Sequence, residues 1–472
     1  MVVACGQSQQ TGDGGVDATV DQLTVDAASD SALDAADGGT SDTSLDAGPK
    51  YPPALWSVAI EHVSFADGAW SGDTVGVAFQ GSAGLKVAGT TLSGPGAVTG
   101  VFHDGDASIS PEAVWPYDKN VIEVSAVQDG HGFQQATLTK QGSSSPMQLE
   151  DLNLSPGFYQ IWSDNANPVP RLHQDTISQV MAFDGLPSGS YTTLQPGGLL
   201  IVKRGFGTRT FPGATSTPTL AVDSVRGDTS SRYCLGGRLS GSFDLGSDAG
   251  PVNGNGFFIA DFVPALTALQ WIKVFGGTPL YAVGSAAPEG TGIRLWYNVE
   301  DGSVVFTFPF TGSVDFGNNQ TFTAPSGGQA TAMGVIDASG AVTLVKVFGK
   351  GTGSAGKPSR PSAYPLWDSQ DKTIGYRLFD TVWDTIDLGG TTATSTAGAD
   401  VVIADFDSSG KLTSYRVYGG PGDDEAYRIT SELPSLNDYV IIGHSMQSID
   451  FGNGSLSTSA AEGEAWVARI SP

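Results

Sequence analysis

Tandem self-similarity constrains this 472-residue chain more than any other feature, because a repeated segment must fold as a unit that packs on copies of itself. One signature is Gly-Ser-x-Asp-Phe/Leu-Gly, seen as Gly241-Ser242-Phe243-Asp244-Leu245-Gly246 and Gly312-Ser313-Val314-Asp315-Phe316-Gly317. It is shortened to Asp387-Leu388-Gly389 and Asp450-Phe451-Gly452, so that the aspartates step by 71, 72 and 63 residues. A second runs Phe257 to Phe262 and Val401 to Phe406, both ending Ile-Ala-Asp-Phe, with looser copies at Met333–Ile336 and Trp466–Ile470. A third is Val274-Phe275-Gly276-Gly277, then Val347-Phe348-Gly349, then Val417-Tyr418-Gly419-Gly420.

Between the second and third signatures lie Asp337-Ala338-Ser339-Gly340 and Asp407-Ser408-Ser409-Gly410. Aspartate accepts hydrogen bonds from turn amides and glycine tolerates positive φ, so both read as hairpin turns. Each unit then holds about four strands: one before the Asp-Phe-Gly strand (such as Ala426 to Thr430), that strand, the Ala-Asp-Phe strand and the Phe-Gly-Gly strand. Four-stranded units in tandem predict an all-β chain and a single β-propeller. Positions of the Ala-Asp-Phe type near 100, 160, 201, 260, 335, 403 and 467 predict about seven blades, with six or eight as alternatives.

The ends of the region complement each other. Leu55-Trp56-Ser57-Val58 resembles the last strand of a unit (compare Gln270-Trp271-Ile272-Lys273), and Trp466–Ser471 resembles the strand before it. Their pairing would close a ring and remove its open sheet edges. The same signatures, with Leu-Trp-Ser opening the domain, resemble the bacterial SBBP-type β-propeller repeat of predicted surface lipoproteins. The resemblance is good over 232–472 and loose over 53–231. It implies a fold and a cell-envelope address, and no particular chemistry.

Composition divides the chain in two. Residues 11–49 hold nine Asp and no basic residue, and no aromatic precedes Tyr51. Aspartates mostly four apart would crowd like charge on one helix face, and there is little to bury, so residues 1–50 read as a disordered, self-repelling tether before the propeller of residues 51–472. Val2-Val3-Ala4-Cys5 resembles a bacterial lipobox, which implies lipidation at Cys5 and an outer-membrane-anchored or exported lipoprotein of a Gram-negative envelope. Only Met1 stands where a basic and apolar leader belongs, so this reading expects a leader missing from the given sequence. The formal net charge of −26 then splits into −8 for the tether and −18 for the propeller. That excess acid excludes nucleic acid as a partner. Cys234, in an apolar strand, reads as a buried small hydrophobe.

No His-Glu-x-x-His, Cys-x-x-Cys, phosphate-binding loop or Gly-x-Ser-x-Gly is present. Two groups of side chains stand out instead. His103, Asp104 and Asp106 fall in one turn and Asp129 and His131 in another, which would make either a mixed nitrogen–oxygen site for calcium or another divalent ion, or two solvated turns. Asp405 to Gly410 shows a truncated Asp-x-Asp-x-x-Gly pattern and lacks the later acidic ligand of a calcium loop. The long connection from Lys350 to Asp371 carries Lys357, Arg360, Tyr364 and Trp367, which would suit an anionic or carbohydrate ligand, with Trp367 as a stacking platform. The alternative is that Tyr364 and Trp367 anchor the loop by packing down.

The sequence therefore reads as a non-enzymatic, lipid-tethered, monomeric surface propeller without a required cofactor, binding or scaffolding a cell-surface protein or carbohydrate, and meeting the membrane only through its lipid. An envelope glycosidase- or lyase-like propeller enzyme and a purely structural envelope protein are the alternatives.

Overall fold

The apolar runs that carry the repeat form strands buried on both faces. The computed structural model describes strands between Trp56 and Ile470. Residues 1–55, most connections before residue 232, and short stretches such as 264–268, 284–290, 431–438 and 458–463 lie outside the described residues. Side chains are described almost entirely from Leu220 onward. The reading of residues 1–50, including Cys5, thus falls outside what the structure describes. Among the described residues there is no α-helix; a 3-10 turn at Thr352–Ser354 lies among the strands. No helix of the described residues is long and apolar enough to cross a membrane.

The main strands form antiparallel meanders of four, here called units one to seven. Unit one is Val63–Ser71, Thr74–Gly81, Gly96–His103 and Asp106–Pro116. Unit two is Val121–Asp129, Gly132–Lys140, Met147–Asp151 and Tyr159–Ile161. Unit three is Arg171–Asp175, Val180–Leu186, Gly198–Lys203 and Gly207–Phe211. Units four (Leu220–Gly227, Tyr233–Phe243, Val252–Phe262, Leu269–Pro279) and five (Arg294–Tyr297, Val304–Asp315, Ala330–Ile336, Val342–Gly349) are fused into one sheet by pairing between Leu269–Pro279 and Val304–Asp315. Unit six is Ser362–Trp367, Thr373–Val382, Asp400–Asp407 and Leu412–Tyr418.

Unit seven takes Asp424–Thr430, Tyr439–Ser445 and Glu464–Ile470 from the C-terminus and Trp56–Ile60 from the N-terminus. The terminal strands pair antiparallel, Trp56 opposite Arg469 through Ile60 opposite Ala465. The sequence expectation for these two segments holds. The expectation for the third strand of unit two does not: it lies at Met147–Asp151, and the stretch around residue 160 is the fourth strand. Its aromatic-rich pattern (Phe158 to Trp162) suits a half-covered outer strand as well as an inner one, and periodicity alone does not separate them.

Neighbouring units touch along their first strands. Val63–Ser71 lies beside Val121–Asp129, Arg171–Asp175 beside Leu220–Gly227, and Arg294–Tyr297 beside Ser362–Trp367; Asp424–Thr430 lies beside the first strand of unit one. The core is correspondingly layered between sheets. Alternate residues of Val304–Asp315 point opposite ways: Phe306, Phe308 and Phe310 join Phe257, Ile259 and Phe275 of unit four, whereas Val305 joins Leu378, Val402 and Phe406 of unit six. Phe257 stacks on Phe308 with centroids 3.9 Å apart. The next layer sets Val401, Ile403 and Tyr418 of unit six against Ile441, Trp466 and Ala468 of unit seven. Second and third strands covered on both faces are apolar along most of their length, which is why they read as near-continuous runs, and the charges they carry, such as Arg377 and Asp405, are buried as pairs. Fourth strands such as Leu412–Tyr418 are only half covered and keep polar residues.

The repeated polar residues are turn chemistry. Oδ1 of Asp244, Asp315, Asp387 and Asp450 accepts the amide of the glycine two residues on, at 2.7, 2.8, 2.9 and 2.6 Å. Those glycines have φ from 70° to 95°, where a side chain is disfavoured. In units six and seven this signature sits on a separate two-stranded hairpin (Thr385–Asp387 with Thr392–Thr394, Ser448–Asp450 with Ser455–Ser457) between the second and third strands. Asp337 Oδ1 accepts the amides of Ser339 and Ala341 and the Ser339 hydroxyl, and Asp407 repeats the arrangement with Ser409 and Lys411.

Candidate functional site

Charged side chains inside these layers are mostly paired. Arg377 on the second strand of unit six forms two hydrogen bonds to Asp405 on the third, and its guanidinium lies 5.0 Å from the Tyr439 ring centroid. Asp405 is therefore an ion-pair partner and Asp407 a turn former, which accounts for both acids of the Asp-x-Asp-x-x-Gly pattern at Asp405–Gly410. In unit four Cys234 occupies the register position of Arg377, opposite Asp261. The buried thiol donates to Asp261 at 3.3 Å, and Arg232 supplies the charge from just before the strand.

The polar cluster that departs from this pattern lies where units five, six and seven bring their first strands together. Arg360, in the connection before Ser362–Trp367, is ion-paired to Glu425 on the first strand of unit seven. Its guanidinium stacks 4.5 Å from the Tyr427 centroid, and Tyr427 in turn stacks on His444 at 6.3 Å. Arg294, on the first strand of unit five, donates to the Tyr427 carbonyl at 3.3 Å. Tyr281, in the connection leading to that strand, feels the charges of Arg360 and Glu425. The backbone there is held by Arg238, which donates to the carbonyls of Tyr281 and Ala282 while bound to Asp223.

Electrostatics keeps both phenols as donors. Burial pushes Tyr427 up to about 12, with the Glu425 charge adding to it and Arg360 opposing. Burial also raises Tyr281. At neutral pH the cluster presents two guanidinium groups, two phenols and an imidazole, with one carboxylate already paired to Arg360. That is a set of donors and aromatic faces suited to hydroxyl- or carboxylate-bearing ligands.

Of the side chains expected from the sequence to bind ligand, Arg360 is in this cluster. Lys357 is exposed and its ammonium sits 4.6 Å over the Trp383 ring, a separate contact. Tyr364 and Trp367 are not on a loop tip. They belong to Ser362–Trp367, are 7% and 6% exposed, and meet Trp296 edge-on at 4.9 and 6.3 Å. The Tyr364 hydroxyl donates to the Ile429 carbonyl at 2.8 Å. Trp367 is thus interior packing and not a stacking platform. Pro358, Pro361 and Pro365 made the segment look like loop, yet a first strand is a sheet edge, where a missing N–H is tolerated.

His103, Asp104, Asp106, Asp129 and His131 have side chains outside the described residues. Strand register places His103 opposite Asp106 and Asp129 opposite Gly132, at two hairpin ends. Among the described residues no group of three or more His, Cys, Asp or Glu side chains is arranged to hold a metal ion. Tyr281, Arg294, Glu425 and Tyr427 escaped the sequence reading. For Arg294, Glu425 and Tyr427 the signal was the alternation of first strands, such as Arg294-Leu295-Trp296-Tyr297, in which every second residue is buried and the others are half-exposed; Tyr281 lies in a connection and carries no such pattern.

No family model matches the chain, and no curated protein matches it. Among solved structures it is similar to a post-proline cleaving enzyme from Rickettsia typhi, with TM-score 0.44 and 10% identity over 85% of this chain. The chain spans about half of that enzyme, 53% of its length. A similar likeness, TM-score 0.42 and 8% identity, extends to the polysaccharide lyase Uly1, covering 91% of this chain and 94% of that one. A eukaryotic initiation factor gives TM-score 0.37 and 9% identity over 90% and 93% of the two chains. Likenesses at this level assign no chemistry to the chain.

Proposed function

We propose that the chain is a closed, seven-bladed β-propeller serving as a binding module, tethered to a bacterial cell envelope through lipid on Cys5. The seven meanders, the contacts between successive first strands and the sharing of unit seven by both termini support the ring. The ligand engages the mouth formed by Tyr281, Arg294, Arg360, Glu425 and Tyr427, and is an acidic or polyhydroxylated glycan or the glycan-like face of a surface macromolecule. The observation that carries this reading is the convergence of two arginines and two protonated tyrosines from three consecutive units on one half-buried spot. The side chains come from separate units and meet across their junction, and structural pairing alone would not need both phenols there.

Binding fits the cluster better than hydrolysis. A glycosidase sets two carboxyl groups roughly 5–10 Å apart across the bond to be cleaved, whereas among the described residues this cluster brings Glu425 alone, already paired. A glycan array and envelope pull-down with the full chain test the proposal. Binding of acidic glycans is expected, weakened at least tenfold by Arg360→Gln or Arg294→Gln in protein of unchanged Tm. Folded protein that captures nothing in either experiment, or variants that bind as well as the parent, would overturn it. Uptake of labelled fatty acid by a full-length gene product at Cys5, lost in Cys5→Ala, tests the anchor separately.

A further inference from the structure

The junctions between units five and six and between six and seven carry equivalent buried polar sites that are neutralised in different ways. At the first, Lys350 follows Val347-Phe348-Gly349 and is fully buried. Its ammonium donates to Asp380 at 2.7 Å, to Ser359 Oγ at 2.7 Å and to the Thr381 carbonyl at 3.0 Å. Thr331 satisfies the other oxygen of Asp380 at 2.5 Å. Every charge there has its partner.

At the second junction the repeat reads Val417-Tyr418-Gly419-Gly420, so the position of Lys350 is a glycine. No side chain can be added, because a Cβ on Gly420 would lie 1.8 Å from the Ser448 carbonyl oxygen. Yet the acids are more numerous. Asp400 begins the third strand of unit six, and Asp424, Ser445 and Glu464 stand at adjoining ends of the first three strands of unit seven. Asp400, Asp424 and Ser445 are each 0% exposed. Asp423 is tied down through the Ala399 amide, and Asp400 Oδ2 through the amide and hydroxyl of Thr396. Asp400 Oδ1, both oxygens of Asp424 and the Ser445 hydroxyl make no hydrogen bond of normal geometry. The Gly420 amide and Ser445 face Asp424 nonetheless, and the charges acting on it are those of Asp400 and Asp423, both of its own sign. Among the described residues neither Asp400 nor Asp424 enters a salt bridge.

A buried carboxylate without a counter-charge costs several kcal/mol. Asp400 and Asp424 both face the Gly420 amide, at the repeat position where the preceding junction holds an ammonium, and between them three carboxylate oxygens lack a well-formed hydrogen bond. We propose that Asp400, Asp424 and Ser445 bind a hard divalent cation of the calcium class between units six and seven, in the role that Lys350 fills between units five and six. The donors are all oxygen, as such a cation requires, and two carboxylates match its charge. The site is distinct from the Arg360–Glu425 mouth and does not depend on it.

Calcium is the probe. Full-length protein stripped with chelator is titrated with Ca²⁺ by calorimetry and by thermal melting at pH 7.5. One ion per chain at this site is expected, with Tm rising ~2–5 °C when calcium stands a hundredfold above Kd. Asp400→Asn and Asp424→Asn should each weaken binding at least tenfold. His103→Ala combined with Asp129→Asn, in the other candidate acidic group, should leave it unchanged. If the aspartate variants do not fold, Ser445→Ala, which removes one hydroxyl, should still weaken binding about threefold or more. Absence of saturable binding, or an affinity untouched by the Asp400, Asp424 and Ser445 substitutions that fold, would overturn the proposal.

Discussion

Arg377 and Asp405 face each other across adjacent strands of unit six, with Nε–Oδ1 at 2.7 Å and Nη2–Oδ2 at 2.8 Å. Both lie between sheets, and Arg377 is 1% exposed. Removing one partner of such a pair leaves the other charge buried, which costs about 3–5 kcal/mol. Arg377→Met is therefore expected to lower the denaturant midpoint strongly. Replacing both residues with apolar ones should recover much of the loss in the same measurement.

Lys350 and Asp380 make the same argument at the neighbouring junction. Burial lowers the Lys350 pKa while Asp380 opposes the shift. A double-mutant cycle on Lys350→Met and Asp380→Asn should show each single change destabilising by about 3–5 kcal/mol and the double change by clearly less than their sum. Additive losses in chemical denaturation would mean that the two groups do not interact as described.

Asp424 gives the fold a pH dependence. Burial, with the Asp400 charge behind it, raises its pKa to about 7, against an ordinary value of 3.8 in the unfolded chain. Between those values the folded state holds a proton that the unfolded state has released, so stability falls as pH rises through the window and levels off above about 7. In calcium-free buffer Tm should decline from pH 5 to pH 8 more steeply in the parent than in Asp424→Asn. Equal slopes in the two proteins would contradict this.

Gly340 turns at φ 86°, and a Cβ there would come within 2.7 Å of the Trp271 ring, whose Nε1 donates to the Ala338 carbonyl. Gly340→Ala combines backbone strain with a clash against unit four, and should cost about 1 kcal/mol or more by denaturant titration.

Deleting residues 1–60 removes the strand that covers one edge of Glu464–Ile470. The shortened protein should melt lower and self-associate in light scattering through the exposed edge. Deleting residues 1–50 spares that strand and should leave the melting temperature unchanged.

Much of this architecture was legible because the repeat marks turns with residues that have little freedom to vary. Asp before Phe-Gly and Asp-x-x-Gly are fixed by amide hydrogen bonds and positive φ, so their spacing located most strands from Phe243 to Ile470. The first strands were harder to see. Arg294–Tyr297 is four residues long and Ser362–Trp367 contains a proline, so neither resembles its counterpart in another unit. The polar cluster was obscured for the same reason: Arg360, Glu425 and Tyr281 are far apart in sequence and meet only through the packing of units. Arg360 was found from its setting of basic and aromatic residues, while Trp367 drew the same inference and turned out to be interior.

The pairing of Trp56–Ile60 with Glu464–Ile470 joins segments more than 400 residues apart. Six meanders can form from contiguous stretches of chain, whereas the seventh must close a loop through all the others. Loop-closure entropy makes that contact the slowest to reward the chain, so the seventh sheet is the last to lock. A cut anywhere between the two segments would turn this pairing into an association between two pieces.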